Sequence, residues 1–572
     1  MFSKIKKYHW ITIAVAIVVV VGVVLYFTLA PKTTDTRPNI IIIIADDLGH
    51  NDLGFHGTDQ IQTPNLDALA YNGIILDRFY TQSACTPSRA ALLTGQYPIR
   101  LGVQVIPMRP GEDLALPVDV SIMPEHFKQL GYKTHLVGKW HQGMSYRRNL
   151  PTQRGFDTHF GYWNGFVGYF DYVANGIFPN GTVVKGFDLY DGFTPAWPYQ
   201  GTYATYLFTQ KTLQVIDSHD TTVPLFLVVG HLAAHTGKDG LEMEVPNMTL
   251  ADSKYSYINE TQRRRFAEVV NLLDDSVGKI VKKLGDRNML ENSIILFFSD
   301  NGAQTTGVYG NSGSNWPLRG LKMTEFEGGV RTAGAIFSPL LKKRGYVNKN
   351  PVHLIDWLPT FYAAAGGDLA DLGKIDGVNQ WEALSNNLTV NRSEILLNIN
   401  DVTNTSAILS QDGRYKFLQG TFNSGDDDRY FGSSGRGLEI PPYNVTSILD
   451  SYTNLALQTL NPRSITKETI AQLRAEADVS WCRTSDIDIN CAKGCLFDMH
   501  EDPCETTNII ELKDGVTKKL RERIEELSVG VVSQPRLAFD PKSDPVNYNN
   551  TWCTWLDDEL CTKTENIERI RR

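Results

Sequence analysis

Pro38-Asn39-Ile40-Ile41-Ile42-Ile43-Ile44-Ala45-Asp46-Asp47 is the stretch on which the fold turns. Five consecutive isoleucines leave no polar face, so such a strand is buried on both sides, as in a parallel or mixed sheet covered by helices. Val223-Pro224-Leu225-Phe226-Leu227-Val228-Val229 and Ser293-Ile294-Ile295-Leu296-Phe297-Phe298-Ser299 have the same character. Between them, Thr261 to Leu284 carries Phe266, Val269, Val270, Leu273, Val277 and Ile280 at three-to-four-residue spacing, the pattern of a helix with one buried face. Strands alternating with such helices predict an α/β layered domain around a large central sheet, mostly parallel or mixed.

Outward from that core, composition bounds the function. The chain has 572 residues, 42% hydrophobic and 21% charged, ordinary for a globular protein with a large core. A net charge of −9 argues against a general nucleic-acid or polyanion binder. An anionic substrate would have to be drawn by a local cluster of Lys, Arg and His.

Toward the N-terminus, Trp10 to Ala30 is apolar and uncharged, preceded by Lys4, Lys6 and Lys7. That pattern predicts a signal anchor over 10–30, with 1–9 cytoplasmic, 31–37 a stalk, and the body lumenal or extracellular as in a type II single-pass protein. The alternative is a signal peptide cleaved after Ala30, which would release a lysosomal or secreted chain. Sequons at Asn180, Asn247, Asn259, Asn387, Asn391, Asn404, Asn444 and Asn549 point to the same compartment. So do Cys482, Cys491, Cys495, Cys504, Cys553 and Cys561, an even set that reads as three disulfides of open connectivity, leaving Cys85 unpaired. A zinc site is the weaker reading of that cluster, since paired C-x2-C knuckles are missing.

Near residue 390 the texture changes to clustered sequons and Asn-rich turns. We expect a catalytic domain over 38–390 and a smaller, disulfide-stapled α+β domain over 391–572. Strand-like pieces fall at Ser406–Ser410, Tyr415–Leu418 and Leu496–Met499, helices at Lys467–Ala477 and Val516–Leu527, and a Gly/Ser/Asp-rich loop at Asn423–Gly437.

Four oxygen-bearing side chains stand at strand ends: Asp46 and Asp47 after the isoleucine run, Asp300 and Asn301 after Ser299. Carboxyl ends of strands line the ligand crevice of an open α/β sheet. Three carboxylates and an amide there suit a hard divalent cation, Ca2+ before Mg2+. Lys139 and His141 lie two apart on an extended segment and so point the same way, toward one anion. Lys322 sits on a Gly-rich loop between Trp316 and Arg331.

The run Cys85-Thr86-Pro87-Ser88-Arg89-Ala90-Ala91-Leu92-Leu93-Thr94-Gly95 resembles the signature of the sulfatases. Together with Asp46-Asp47, Gly138 to Gly143, Asp300-Asn301-Gly302, Trp316 to Arg331 and Leu496-Phe497-Asp498 through Asp502-Pro503, in that order, it is similar to the arylsulfatase B group. The resemblance implies an alkaline-phosphatase-like domain with a smaller C-terminal domain, and Cys85 oxidised to 3-oxoalanine (formylglycine) by the formylglycine-generating enzyme. It implies one Ca2+ held by Asp46, Asp47, Asp300, Asn301 and residue 85, with Arg89 and His141 orienting the formylglycine hydrate. Lys139, Lys322 and a further histidine would grip the sulfate. His231 and His235 are both candidates for that histidine; neither is followed by the family's x-Pro, and His235 falls at the family spacing. Gln142 and Ala303 are smaller departures, at positions where an aliphatic residue and a second glycine are usual.

The activity so implied is hydrolysis of sulfate esters, of sulfated carbohydrates such as an N-acetylgalactosamine-4-sulfate or of aryl sulfates, with no nucleic-acid partner. A phosphatase or phosphonate hydrolase of the same superfamily would normally carry Thr or Ser and a zinc pair. A catalytically dead glycoprotein would have shed charged site residues that are retained here.

Overall fold

The computed structural model describes residues 35–178, 180–237, 243–390, 392–460, 465–482, 489–535 and 537–557. The anchor expected over 10–30 lies outside them. Among the described residues, no helix is long and apolar enough to cross a membrane.

Asn39–Ala45 runs through the middle of a ten-stranded sheet, with all of its residues buried. It pairs in parallel with Leu225–Gly230 on one side and Ser293–Ser299 on the other. The parallel block continues from Leu225–Gly230 to Lys133–Lys139 and then Thr158–Tyr162. Antiparallel strands extend it at both ends, among them Gly334–Phe337 beside Ser293–Ser299. The sheet is therefore mixed with a parallel core, and its isoleucines divide between two hydrophobic layers: Ile41 and Ile43 on one face, Ile40, Ile42 and Ile44 on the other. The two-residue period of a strand requires that division.

The helix Thr261–Asp286 covers the first face with Phe266, Val270, Leu273, Val277 and Ile280 turned inward. Beyond residue 392 the chain divides between two places. Ile395–Asn400, Thr405–Leu409, Tyr415–Gln419 and Cys495–Asp498 form a four-stranded antiparallel sheet. The helix Asp514–Ser528 packs on it through Leu520 and Ile524. The helices Val445–Leu449 and Tyr452–Gln458 instead return to the helix Pro64–Asn72 of the large sheet's cover, and Trp552 donates from Nε1 to the Ala174 carbonyl at 3.0 Å.

Cys482–Cys504 and Cys491–Cys495 are disulfides, Cys553 is disulfide-bonded as well, and Cys85 is a free, buried thiol. Asn180, Asn247, Asn259, Asn387, Asn404, Asn444 and Asn549 are all exposed; the remaining sequon asparagine, Asn391, lies outside the described residues.

Candidate active site

Four adjacent parallel strands end on one edge, and each delivers site residues. Ser299 leads into Asp300 and Asn301, Ala45 into Asp46 and Asp47, Gly230 toward His231 and His235, and Lys133–Lys139 ends on its own lysine. The register aligns Ala45 with Ser299 and both Ile44 and Gly138 with Gly230, so these ends are level. Gly138 makes that approach feasible: its φ is +97° and a Cβ would lie 1.9 Å from the Gly230 carbonyl oxygen. Asp47 and His141 also have positive φ, +58° and +57°, an uncommon conformation for residues with side chains that tends to accompany functional sites.

Asp46, Asp47 and Asp300 are fully buried, and one oxygen from each lies within 4.8 Å of the others. Every carboxylate is paired with a cation. Lys139 Nζ lies 2.7 and 2.9 Å from the Asp46 oxygens, Lys322 Nζ lies 2.7 and 2.8 Å from those of Asp47, and Arg89 donates Nε and Nη2 to Asp300 Oδ2. Burial pushes the Asp46 carboxyl well up despite Lys139, whereas at Asp47 Lys322 and His235 outweigh burial and hold it below the usual range. Asn301 donates from Nδ2 to Asp47 Oδ1 at 2.7 Å, while its buried Oδ1 has no partner among the described residues. A free amide oxygen beside three clustered carboxylates is the donor set of a hard divalent cation, so these residues fit one.

Cys85 is the first residue of the helix Cys85–Thr94 and is 3% exposed. Arg89 follows at i+4, on the same helical face, which is why the Cys-x-Pro-x-Arg spacing brings the guanidinium to Asp300 below the thiol. Pro87, within the first turn, costs no interior hydrogen bond. Burial pushes the Cys85 thiol up, against the pull of Lys139 and Lys322.

His141 Nε2 lies 2.8 Å from the Met108 carbonyl and 3.2 Å from Thr86 Oγ1. A carbonyl only accepts, so Nε2 carries the proton, and the buried Nδ1, which has no partner among the described residues, keeps its lone pair. Burial holds this imidazole neutral, well below the usual histidine range.

The two candidate histidines part company. His231 is fully buried beside the helix Thr261–Asp286, where its Nε2 meets Ser276 Oγ at 3.2 Å. His235 donates from Nδ1 to the Thr236 carbonyl at 2.9 Å and places Nε2 3.5 Å from Asp47 Oδ2. Burial lowers it to about 4, against the opposing charge of Asp47.

Cys85, His141, His235 and Lys322 line a cavity of about 800 Å³, and the buried Asp46, Asp47, Asp300, Asn301, Arg89 and Lys139 form the layer bonded together beneath it. Sequence reading missed the residues that hold this arrangement. Asn311 Nδ2 bridges the carbonyls of Asp47 and Ala234 at 2.8 and 3.0 Å, the Tyr169 hydroxyl donates to the His235 carbonyl, and Phe166 stacks on the His235 ring at 4.5 Å. None belongs to a periodic pattern or a chemical motif, so no sequence signal marked them. Gln142 ties the helix start to the strand end through Nε2, 3.0 Å from the Thr86 carbonyl.

The family model described as Sulfatase matches residues 38–367. Arylsulfatase J of Mus musculus is 34% identical over 536 residues, 93% of this chain and 82% of that protein. N-acetylgalactosamine-6-sulfatase of Homo sapiens is 32% identical over 354 residues, 60% of this chain and 65% of its own length. Among solved structures, the crystal structure of Ps i-CgsB aligns with a TM-score of 0.66 at 25% identity, covering 90% of this chain and 97% of that one. Match length and identity together leave one assignment, a sulfuric ester hydrolase by descent: the chain belongs to the sulfatase family.

Proposed function

We propose that the protein hydrolyses sulfate monoesters of sugars with formylglycine at position 85 as nucleophile, assisted by one calcium ion held by Asp46, Asp47, Asp300, Asn301 and residue 85. The observation that carries this reading is the convergence of Cys85, His141, His235 and Lys322 on one cavity directly above the three buried carboxylates. Cys85 Sγ stands in for the oxygens of the modified residue. When bound, the cation supplies Lewis-acid polarisation of oxygens on the nucleophile and the sulfate. The modified side chain supplies two hydroxyls on one carbon, one to attack sulfur and one to release sulfate afterwards, which Ser or Cys lacks.

The chain's own residues do the rest. His141 offers the Nδ1 lone pair as proton acceptor, its Nε2 proton being fixed on Met108. Lys322 and Lys139 neutralise charge gathering on the transferring group, and Arg89 anchors Asp300 while turning Nη1 toward the Lys139 carbonyl at 3.5 Å. His235 protonates the leaving alcohol from Nε2; an arriving sulfate monoanion favours its charged form and opposes the effect of burial. Turnover of 4-nitrophenyl sulfate by chain produced with the formylglycine-generating enzyme, and its loss in Cys85→Ala, tests the proposal.

The family relatives include N-acetylgalactosamine-6-sulfatase, which supports a sulfated hexosamine as the substrate class; we assign the 4-sulfate kind on the motif resemblance to the arylsulfatase B group. We assign residues 38–390 to the catalytic domain and 391–572 to the C-terminal domain, and read 10–30 as an uncleaved signal anchor with the catalytic domain lumenal or extracellular. The Lys4-Lys6-Lys7 flank, the disulfides and the exposed sequon asparagines support that placement. Resistance to carbonate extraction together with N-glycan release checks it; a soluble chain beginning near Pro31 would show cleavage.

A further inference from the structure

Above the layer that would hold sulfate, the cavity changes character. Phe166, Ile177, Phe178, Val308, Tyr309 and Phe539 make an apolar part of its lining, with Phe178 against Phe539 at 4.3 Å and Phe166 against Tyr309 at 4.9 Å between ring centroids. Val308 is 78% exposed and Ile177 56%, apolar surface that a leaving group would cover.

Charge at this level is sparse and, taken together, negative. Among the described residues lining the cavity, the only charged side chains besides Lys322 and the histidines are Arg109, Glu112 and Asp427. Arg109 is paired, though its side chain is 64% exposed: its Nε lies 2.6 Å from Glu112 Oε1, and its backbone N–H donates to Oε2 at 3.0 Å. Asp427 is left unbalanced, next in the chain to the exposed Asp426. A polyanionic chain entering here would meet a carboxylate and apolar walls, and each basic side chain among the described lining residues, Arg109 and Lys322, already has a carboxylate partner.

We infer that the cavity selects sulfate esters whose alcohol is uncharged and carries an apolar face, such as a sulfated hexosamine on a neutral aglycone, and disfavours the same sulfated sugar flanked by uronates. This rests on the sulfatase reading of the site and narrows its substrate class. Attraction is local to the single sulfate, supplied from below by Lys139, Lys322 and Arg89, while Asp427 repels additional negative charge at the mouth.

The test compares kcat/KM of the full chain, produced with its modifying enzyme, on a 4-nitrophenyl glycoside of a sulfated N-acetylhexosamine and on an oligosaccharide in which that sugar adjoins uronates. 4-Nitrophenyl sulfate serves as the control for sulfatase chemistry. The neutral glycoside should be preferred by at least about fivefold at low salt. The preference should narrow as the screening length falls from about 30 Å at 0.01 M to about 8 Å at 0.15 M. Asp427→Lys should shift the ratio toward the uronate-flanked substrate by about fivefold or more. Equal or better turnover of the uronate-flanked substrate, with a ratio indifferent to both salt and Asp427→Lys, overturns the inference while the control still turns over. No turnover of any sulfate ester, control included, overturns the sulfatase reading itself.

Discussion

Arg89 places Nε and Nη2 on a single oxygen of Asp300, at 3.0 and 2.9 Å, and leaves Asp300 Oδ1 to accept the backbone N–H of Asp47 at 3.3 Å. The helix that begins with Cys85 is thereby locked to the strand ends that carry the carboxylates. The position of residue 85 and that of the carboxylate cluster are one structural decision.

Residue 85 should carry formylglycine in cells that contain the modifying enzyme, and the tryptic peptide spanning it should lack the thiol sulfur by mass spectrometry. Cys85→Ser should fold normally, since it exchanges only the sulfur of a free, buried thiol for oxygen, yet lose steady-state turnover because one hydroxyl cannot both attack and release. An unmodified thiol in such cells would remove the proposed nucleophile.

Asp300→Ala should abolish turnover and destabilise the fold by about 3–5 kcal/mol, because Arg89, 4% exposed, loses its buried partner. Asp300→Asn, which keeps an acceptor for Arg89, should recover part of that stability without recovering activity. Calcium at about a hundredfold over its Kd should stabilise the wild type by about 2.7 kcal/mol and leave both variants nearly unmoved. Thermal melts with and without calcium decide the matter; equal responses in all three proteins would place the cation elsewhere.

His235→Ala should lower kcat/KM for a sugar sulfate roughly 10²–10⁴-fold and for 4-nitrophenyl sulfate much less, because an activated phenol departs without protonation. His231→Ala should leave the ratio of the two alone and act through lost packing and the lost Ser276 contact. The reverse outcome would move the acid by four residues along this loop.

Stability should fall with acidification through buried neutral histidines. Burial holds His56, His159 and His231 at about 4, below the ordinary value of about 6.5. The unfolded chain takes up protons as pH falls below about 6.5 while the folded chain does not. Their contribution is therefore complete above that pH and is lost progressively toward about 4, by up to about 3 kcal/mol per group. Asp67 and Asp274, raised by burial to about 6 and about 7, act in the opposite sense, so the wild-type curve alone mixes the two. His159→Gln, whose amide can still reach the Gly138 carbonyl, isolates one histidine: its loss of stability between pH 7.5 and 4.5 should be smaller than that of the wild type in urea titrations.

Much of the architecture is legible in the sequence. Ser293–Ser299 and Lys467–Ala477 form the expected elements with the expected bounds, and Thr261–Asp286 extends the expected helix by two residues. Long apolar runs and strict helical periodicity leave little choice of partner. The strand expected over Val223–Val229 begins instead at Leu225, because Pro224 has no N–H for the ladder. Harder to read were the helices Val445–Leu449 and Tyr452–Gln458, which lie beyond the small sheet's first strands in sequence yet cover the large sheet's helices. Short amphipathic segments show that a face is buried, not against which layer.

What the sequence determined by itself was local and chemical: the buried central strand, the acids at strand ends, and the Cys85-to-Arg89 spacing that one helical turn converts into a shared face. Only the tertiary structure decided which histidine faces the cavity, which amide oxygen is left free beside the carboxylates, and what walls the leaving group meets. Those relations join residues tens to hundreds of positions apart, and their geometry is set by strand order, register and packing, quantities that no local pattern encodes.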